Sequence, residues 1–108
     1  MKKIITAGLL GLFGFNAVAD CNSVYCKNVK ITGMYVRTDG NTIIATSGDA
    51  SKLSCETDKA GYITLSGDAK NYNAVYSLLL TVYTTEHPVL VRTNASGKSM
   101  VDYVVSDK

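Results

Sequence analysis

The chain has 108 residues, with 11 lysines and arginines, nine aspartates and glutamates, one histidine and three cysteines. Lys2 and Lys3 belong to a leader-like start, so residues 20–108 carry nine side-chain charges of each sign. A formally neutral domain lacks the basic face that nucleic acid or an anionic membrane selects, and neither is expected as a partner.

The first 19 residues have the pattern of an export signal. Lys2 and Lys3 are followed by a largely apolar run over residues 4–18, and Ala17-Val18-Ala19 fits the small-x-small cleavage rule. The run is short for a membrane span, and no stop-transfer pattern follows it. Residues 1–19 are expected to be cleaved, leaving residues 20–108 as one exported domain, periplasmic or secreted. Asp20 precedes Cys21 where a lipoprotein cysteine needs a small residue.

Cys21, Cys26 and Cys55 lie in a domain with a small core, where a disulfide is a common reinforcement. A Cys26–Cys55 bridge closes about 30 residues, for roughly 3–4 kcal/mol on the chain-entropy model. A Cys21–Cys26 bridge closes about six, for roughly 2 kcal/mol. A bridge to Cys55 is therefore the expected one, from Cys26 or alternatively Cys21, with one thiol left over. Cys21-x4-Cys26 has no second pair and His87 is the only histidine, so no metal or other cofactor is expected.

Residues 29–38 are rich in β-branched and aromatic side chains and read as a long strand, with Gly33 marking a bulge or bend. Asp39-Gly40 is a two-residue type I′ hairpin signal. A second strand follows over 41–46, then a loop over 47–51. Gly61 and Gly67 bracket a short third strand.

Residues 71–83 read as the helix. Tyr72, Val75, Tyr76, Leu78, Leu79, Leu80, Val82 and Tyr83 cover an apolar arc of about 200°, where packing on one sheet needs little more than about 100°. The remaining face holds Asn73, Ser77, Thr81 and Thr84 and no charge. Such a helix plugs a small barrel, with its surplus apolar surface under the protein's own loops; the second reading packs that surplus on helices of neighbouring subunits, which makes Asn73, Ser77 and Thr81 a candidate oligomer face. Asp68 or Asn71 is placed to cap its start. Pro88 cannot continue it. A fourth strand over 88–93 puts Val89 and Val91 opposite Leu90 and Arg92. Asn94-Ala95-Ser96-Gly97 turns the chain into a last strand over 99–105.

The order β-β-β-α-β-β is mainly β with one helix and matches a small five-stranded OB-fold-like barrel, whose closure removes free sheet edges. Catalytic chemistry is not legible. His87 sits at a junction beside Pro88, and Asp68, Glu86 and Asp102 show no acid/base spacing. The expected protein is not an enzyme.

The run Tyr83-Thr84-Thr85-Glu86-His87-Pro88-Val89-Leu90-Val91 resembles the helix-to-strand junction of the B subunits of AB-type bacterial toxins, the subtilase cytotoxin and pertussis-like group. Tyr83-x-Thr85-Glu86 is more distantly similar to the cholera toxin B subunit. Val29-Lys30-Ile31-Thr32 is similar to that family's first strand, and Cys55 falls where the family has a cysteine. The resemblance implies a non-enzymatic binding module, a pentameric homo-oligomer with helices lining its pore, a cell-surface glycan as ligand and an A-type subunit as partner. The family's second-strand cysteine falls on Ile44. Its sugar-contacting serine and tyrosine fall on Lys27 and Thr93, which join Tyr35 and Arg37 as candidate ligand contacts. Strand tyrosines more often complete a core, and an arginine beside a turn is more often solvated. The alternative expectation is a periplasmic structural or interaction protein of the same fold with no glycan site.

Overall fold

The computed structural model describes residues 18–58 and 60–107. The expected leader lies outside them except for Val18 and Ala19. The elements are β1 (Asp20–Asn22), β2 (Tyr25–Val29), β3 (Ile31–Val36), β4 (Thr42–Thr46), a short 3-10 turn (Ala50–Lys52), β5 (Ile63–Leu65), α1 (Tyr72–Thr85), β6 (Val89–Thr93) and β7 (Val101–Ser106). The fold is mainly β with one helix. Its strands lie in two antiparallel sheets, ordered β1-β2-β6-β7 and β3-β4-β5, rather than in one closed ladder of five.

The long first strand expected over 29–38 is instead divided at Lys30. Asn28 takes a left-handed conformation (φ 54°), and the β2–β6 register shifts between Cys26 and Val29. The bend sends the chain from one sheet into the other. The bulge anticipated at Gly33 is present, as the β3–β4 register shifts between Ile31 and Gly33. β1 was not legible, because three residues carry no usable alternation.

Cys21 and Cys26 face each other in the β1–β2 hairpin, with Cα atoms 3.9 Å apart, and they form the disulfide. The expected bridge to Cys55 is thereby corrected. Loop entropy favoured the longer closure, but strand register brought the nearer pair together. Cys55 is a buried thiol that accepts from the Ser99 hydroxyl at 2.7 Å and donates to Thr93 Oγ1 at 3.4 Å.

Ile44, Ile63, Leu65, Leu79, Val29 and Val91 are fully buried and form the centre of the core. Each such side chain contributes about 1.5–3 kcal/mol of hydrophobic stabilisation. α1 lies against β3 and β7 and sends Leu79 and Val82 inward. Tyr72 at its first turn hydrogen-bonds the buried Thr42 hydroxyl at 2.7 Å, which ties the helix to β4. Asn71 occupies the N-cap position without a side-chain cap bond, unlike the expectation. At the other end Glu86 turns left-handed (φ 58°), and the His87 N–H donates to the Val82 carbonyl. This Schellman-type exit satisfies the last turn, and Pro88 follows it. β6 alternates as expected, with Val89, Val91 and Thr93 inward.

Candidate functional site

A cleft of about 410 Å³ opens where three separated stretches meet. The first is the hairpin loop between β3 and β4. Arg37 N–H donates to the Asn41 carbonyl at 3.0 Å and Gly40 N–H donates to the Arg37 carbonyl. Only Gly40 is left-handed there (φ 96°), so the loop is a three-residue connection and not the expected two-residue type I′ turn. Asp39 holds it rigid, accepting from Asn41 N–H at 3.0 Å and from Arg37 Nε at 3.1 Å. The Asn41 N–H bond, and after it the Arg37 guanidinium, keep the Asp39 carboxyl below the usual carboxylate range. Gly67 N–H in turn donates to Asn41 Oδ1 at 2.9 Å. A Cβ at Gly67 would collide with the Gly40 carbonyl, so glycine permits this close approach.

The second stretch runs from Glu56 through β5. Asp58 accepts from the Ala60 and Tyr62 N–H groups, which fixes the turn that presents Tyr62. The Tyr62 hydroxyl donates to Tyr35 at 3.3 Å, and the two rings meet with centroids 5.2 Å apart. That hydroxyl contact holds the Tyr62 phenol above its usual value and therefore neutral. Ile63 and Leu65 point into the core, so Thr64 faces the other way, onto the cleft floor beside its cross-strand partner Ile43. Thr64 is 93 % buried, and its hydroxyl has no hydrogen-bond partner among the described residues.

The third stretch is the β6–β7 loop. Asn94 builds it, donating to the Ser96 and Lys98 carbonyls and accepting from Met100 N–H. Glu56 and Lys98 are then joined by a parallel bridge, with Glu56 N–H on Gly97 and Ser99 N–H on Glu56. Both side chains line the cleft.

Of the sequence candidates, Arg37 lines this cleft and Tyr35 supports its Tyr62 wall. Lys27 lies elsewhere, in an apolar groove with His87, Pro88, Leu90 and Val105. Thr93 is fully buried, with its hydroxyl bonded to the Val24 and Asn94 carbonyls, and cannot reach a solute. β6 alternation puts it inward. Thr64, Glu56, Asp58, Tyr62 and Lys98 were not legible as one site. The available signals were the Asp-x-x-Gly turn at 58–61 and the Asn-x-Ser-Gly turn at 94–97.

Other chemistry-bearing groups are already engaged. Arg92 donates to the Tyr25 hydroxyl at 2.9 Å, lies against the Tyr25 and Tyr103 rings, and sits 3.3 Å from Asp102 Oδ2. That row spans three strands in register, and it is a cross-strand brace. His87 Nε2 lies 2.7 Å from the Asp107 carbonyl oxygen, at the opposite end of β6 from Cys55. No group of three or more potential metal ligands occurs among the described residues. No helix among them is long and apolar enough to cross a membrane. The disulfide is consistent with export. No protein-family model matches the chain, and neither a curated protein nor a solved structure matches it.

Proposed function

We propose that the chain is an exported, non-enzymatic saccharide-binding module that works as a ring of identical copies, in the manner of toxin B subunits. The fold proposed for it is a coiled OB-type barrel. β2 and β3 act as one bent strand, continuing into β4 and β5 on one side and into β6 and β7 on the other. The Thr64–Met100 bridge, with Thr64 N–H on the Ser99 carbonyl at 3.1 Å, supports this reading as the contact at which such a barrel would close.

The observation that carries the reading is where the cleft falls. It lies between the loop joining the first two barrel strands and the loop joining the last two, over the face of the second and third. OB barrels take oligosaccharides and oligonucleotides there. The neutral formal charge of residues 20–108 weighs against the nucleic acid. A tyrosine wall beside polar side chains with bonding capacity to spare suits a sugar ring, with one apolar face and a rim of hydroxyls.

A second observation supports the ring. Beyond Val18, the exposed large apolar residues are Tyr35 and Val36 on β3, Leu80 and Tyr83 on α1, and Tyr103 and Val105 on β7. β3 and β7 are sheet edges, and α1 lies against both. A β7 edge meeting the β3 edge of the next copy is a head-to-tail contact, which closes into a ring when the rotation divides a circle. The exposed face of α1, with Asn73, Ser77 and Thr81, carries no charge. Thr81 and Thr84 donate to the Ser77 and Leu80 carbonyls, so burying those hydroxyls strands no donor. Light scattering on residues 20–108 is expected to give a discrete multimer, and a glycan array is expected to give binding. A monomer at all concentrations removes the ring. A ring that binds no glycan moves the reading to a structural or interaction protein.

A further inference from the structure

The charges of the cleft carry the ligand class one step further, and this step rests on the saccharide reading above. Among the described residues, two cations and three carboxylates line it. Arg37 is committed to Asp39, in an ion pair at 3.1 Å. Glu56 and Lys98 rise side by side from bridged backbones, and neither side chain is paired with a described residue. Asp58 uses Oδ1 on its own turn, and its second oxygen has no partner among the described residues. Among the described residues one carboxylate is therefore left in excess. Below them the unpartnered Thr64 hydroxyl offers both a donor and an acceptor on the floor.

We infer that the cleft selects a saccharide bearing a protonated amine, such as a free hexosamine, and disfavours sugars bearing a carboxylate. A carboxylated sugar entering here brings a negative charge toward Glu56 and Asp58, with Lys98 alone among the described residues to receive it. An ammonium meets two acceptor carboxylates and the Thr64 oxygen. At a solvated cleft each favourable pairing is worth at most about fivefold in affinity.

The test uses residues 20–108 with the disulfide intact, at about pH 6, where hexosamine amines are protonated and carboxylates ionised. Calorimetric titrations would compare a tetramer of glucosamine, its fully N-acetylated counterpart and 3′-sialyllactose. The expected order is the free amine tightest by about fivefold, the acetylated sugar next and sialyllactose weakest. Glu56→Gln and Asp58→Asn, each checked for folding by circular dichroism, are expected to bring the amine-to-acetyl ratio toward one. Equal binding of the amine and acetyl forms, or sialyllactose as the tightest, overturns the charge selection and leaves the saccharide reading standing. An unchanged ratio in both variants also overturns it. Binding by none of the three, together with a blank glycan array, overturns both.

Discussion

The cleft draws its lining from three stretches far apart in sequence and holds five charged side chains among the described residues, whereas α1 runs 14 residues without one. Both surfaces are exposed, so the difference is not one of burial. On the proposed function it follows from what each surface would meet. A charge beside a small polar ligand stays partly hydrated and can be answered by the ligand. A charge buried between two protein copies must be desolvated, at a cost its partner seldom recovers in full. A side chain that helps in the cleft would therefore destroy the helix face, and the reverse also holds. The two surfaces should fail independently when altered.

The sharpest way to break that contrast is to move a charge onto the helix. Leu80→Glu places a carboxylate on the exposed apolar ridge, at a position 42 % exposed. The folded monomer should change stability by no more than about 0.5 kcal/mol. Light scattering should report monomers, and capture on an immobilised glycan surface should fall about 100-fold or more as avidity is lost. A multimer of wild-type size would place the contact elsewhere.

Next in size, replacing Cys21 and Cys26 together by alanine should cost about 2 kcal/mol in urea unfolding, the loop-closure value for a six-residue ring. It should leave multimer size and ligand affinity unchanged, because the hairpin belongs to neither surface. A loss nearer 4 kcal/mol would mean that the β1–β2 hairpin anchors more of the fold than its own ring.

Tyr62→Ala removes the aromatic wall of the cleft. Monovalent saccharide affinity should fall about tenfold, roughly 1.4 kcal/mol, with the multimer intact by light scattering. Unchanged affinity would move the ligand away from this cleft.

The smallest effect is a matter of pH. The folded Asp39 carboxyl titrates below its unfolded value of about 3.9. Its stabilising contribution is thus fully present above that value and is lost as pH falls through the lower, folded one. The melting-temperature gap between wild type and Asp39→Asn should hold steady from pH 7 to 5 and close only below about pH 4. A gap that closes near pH 6 would assign the hairpin's stability to another group.

Local devices were legible because their causes act within a few residues. Pro88 stops α1, Asp39 and Gly40 turn the chain, Gly33 bulges β3, and Val89 and Val91 alternate against Leu90 and Arg92. Arg37 was found as a candidate because it adjoins a recognisable turn. Thr93 was assigned by likeness of position, and its strand turned it into the core. Thr64 and Glu56 carried no signal, since nothing near either in sequence announces a cleft.

The chain by itself thus determined where the helix lies, that one of its faces is free of charge, and where the hairpin turns. Each of these is set by side-chain period or by backbone limits over one or two turns of chain. Tertiary structure alone decided that Cys21 meets Cys26, that Cys55 stays a thiol beside Ser99, and that Arg37, Glu56, Asp58, Tyr62, Thr64 and Lys98 share one cleft. Those outcomes depend on strand register and on a bend at Lys30. The free energy of such long-range pairings is spread over the whole core and written at no single position.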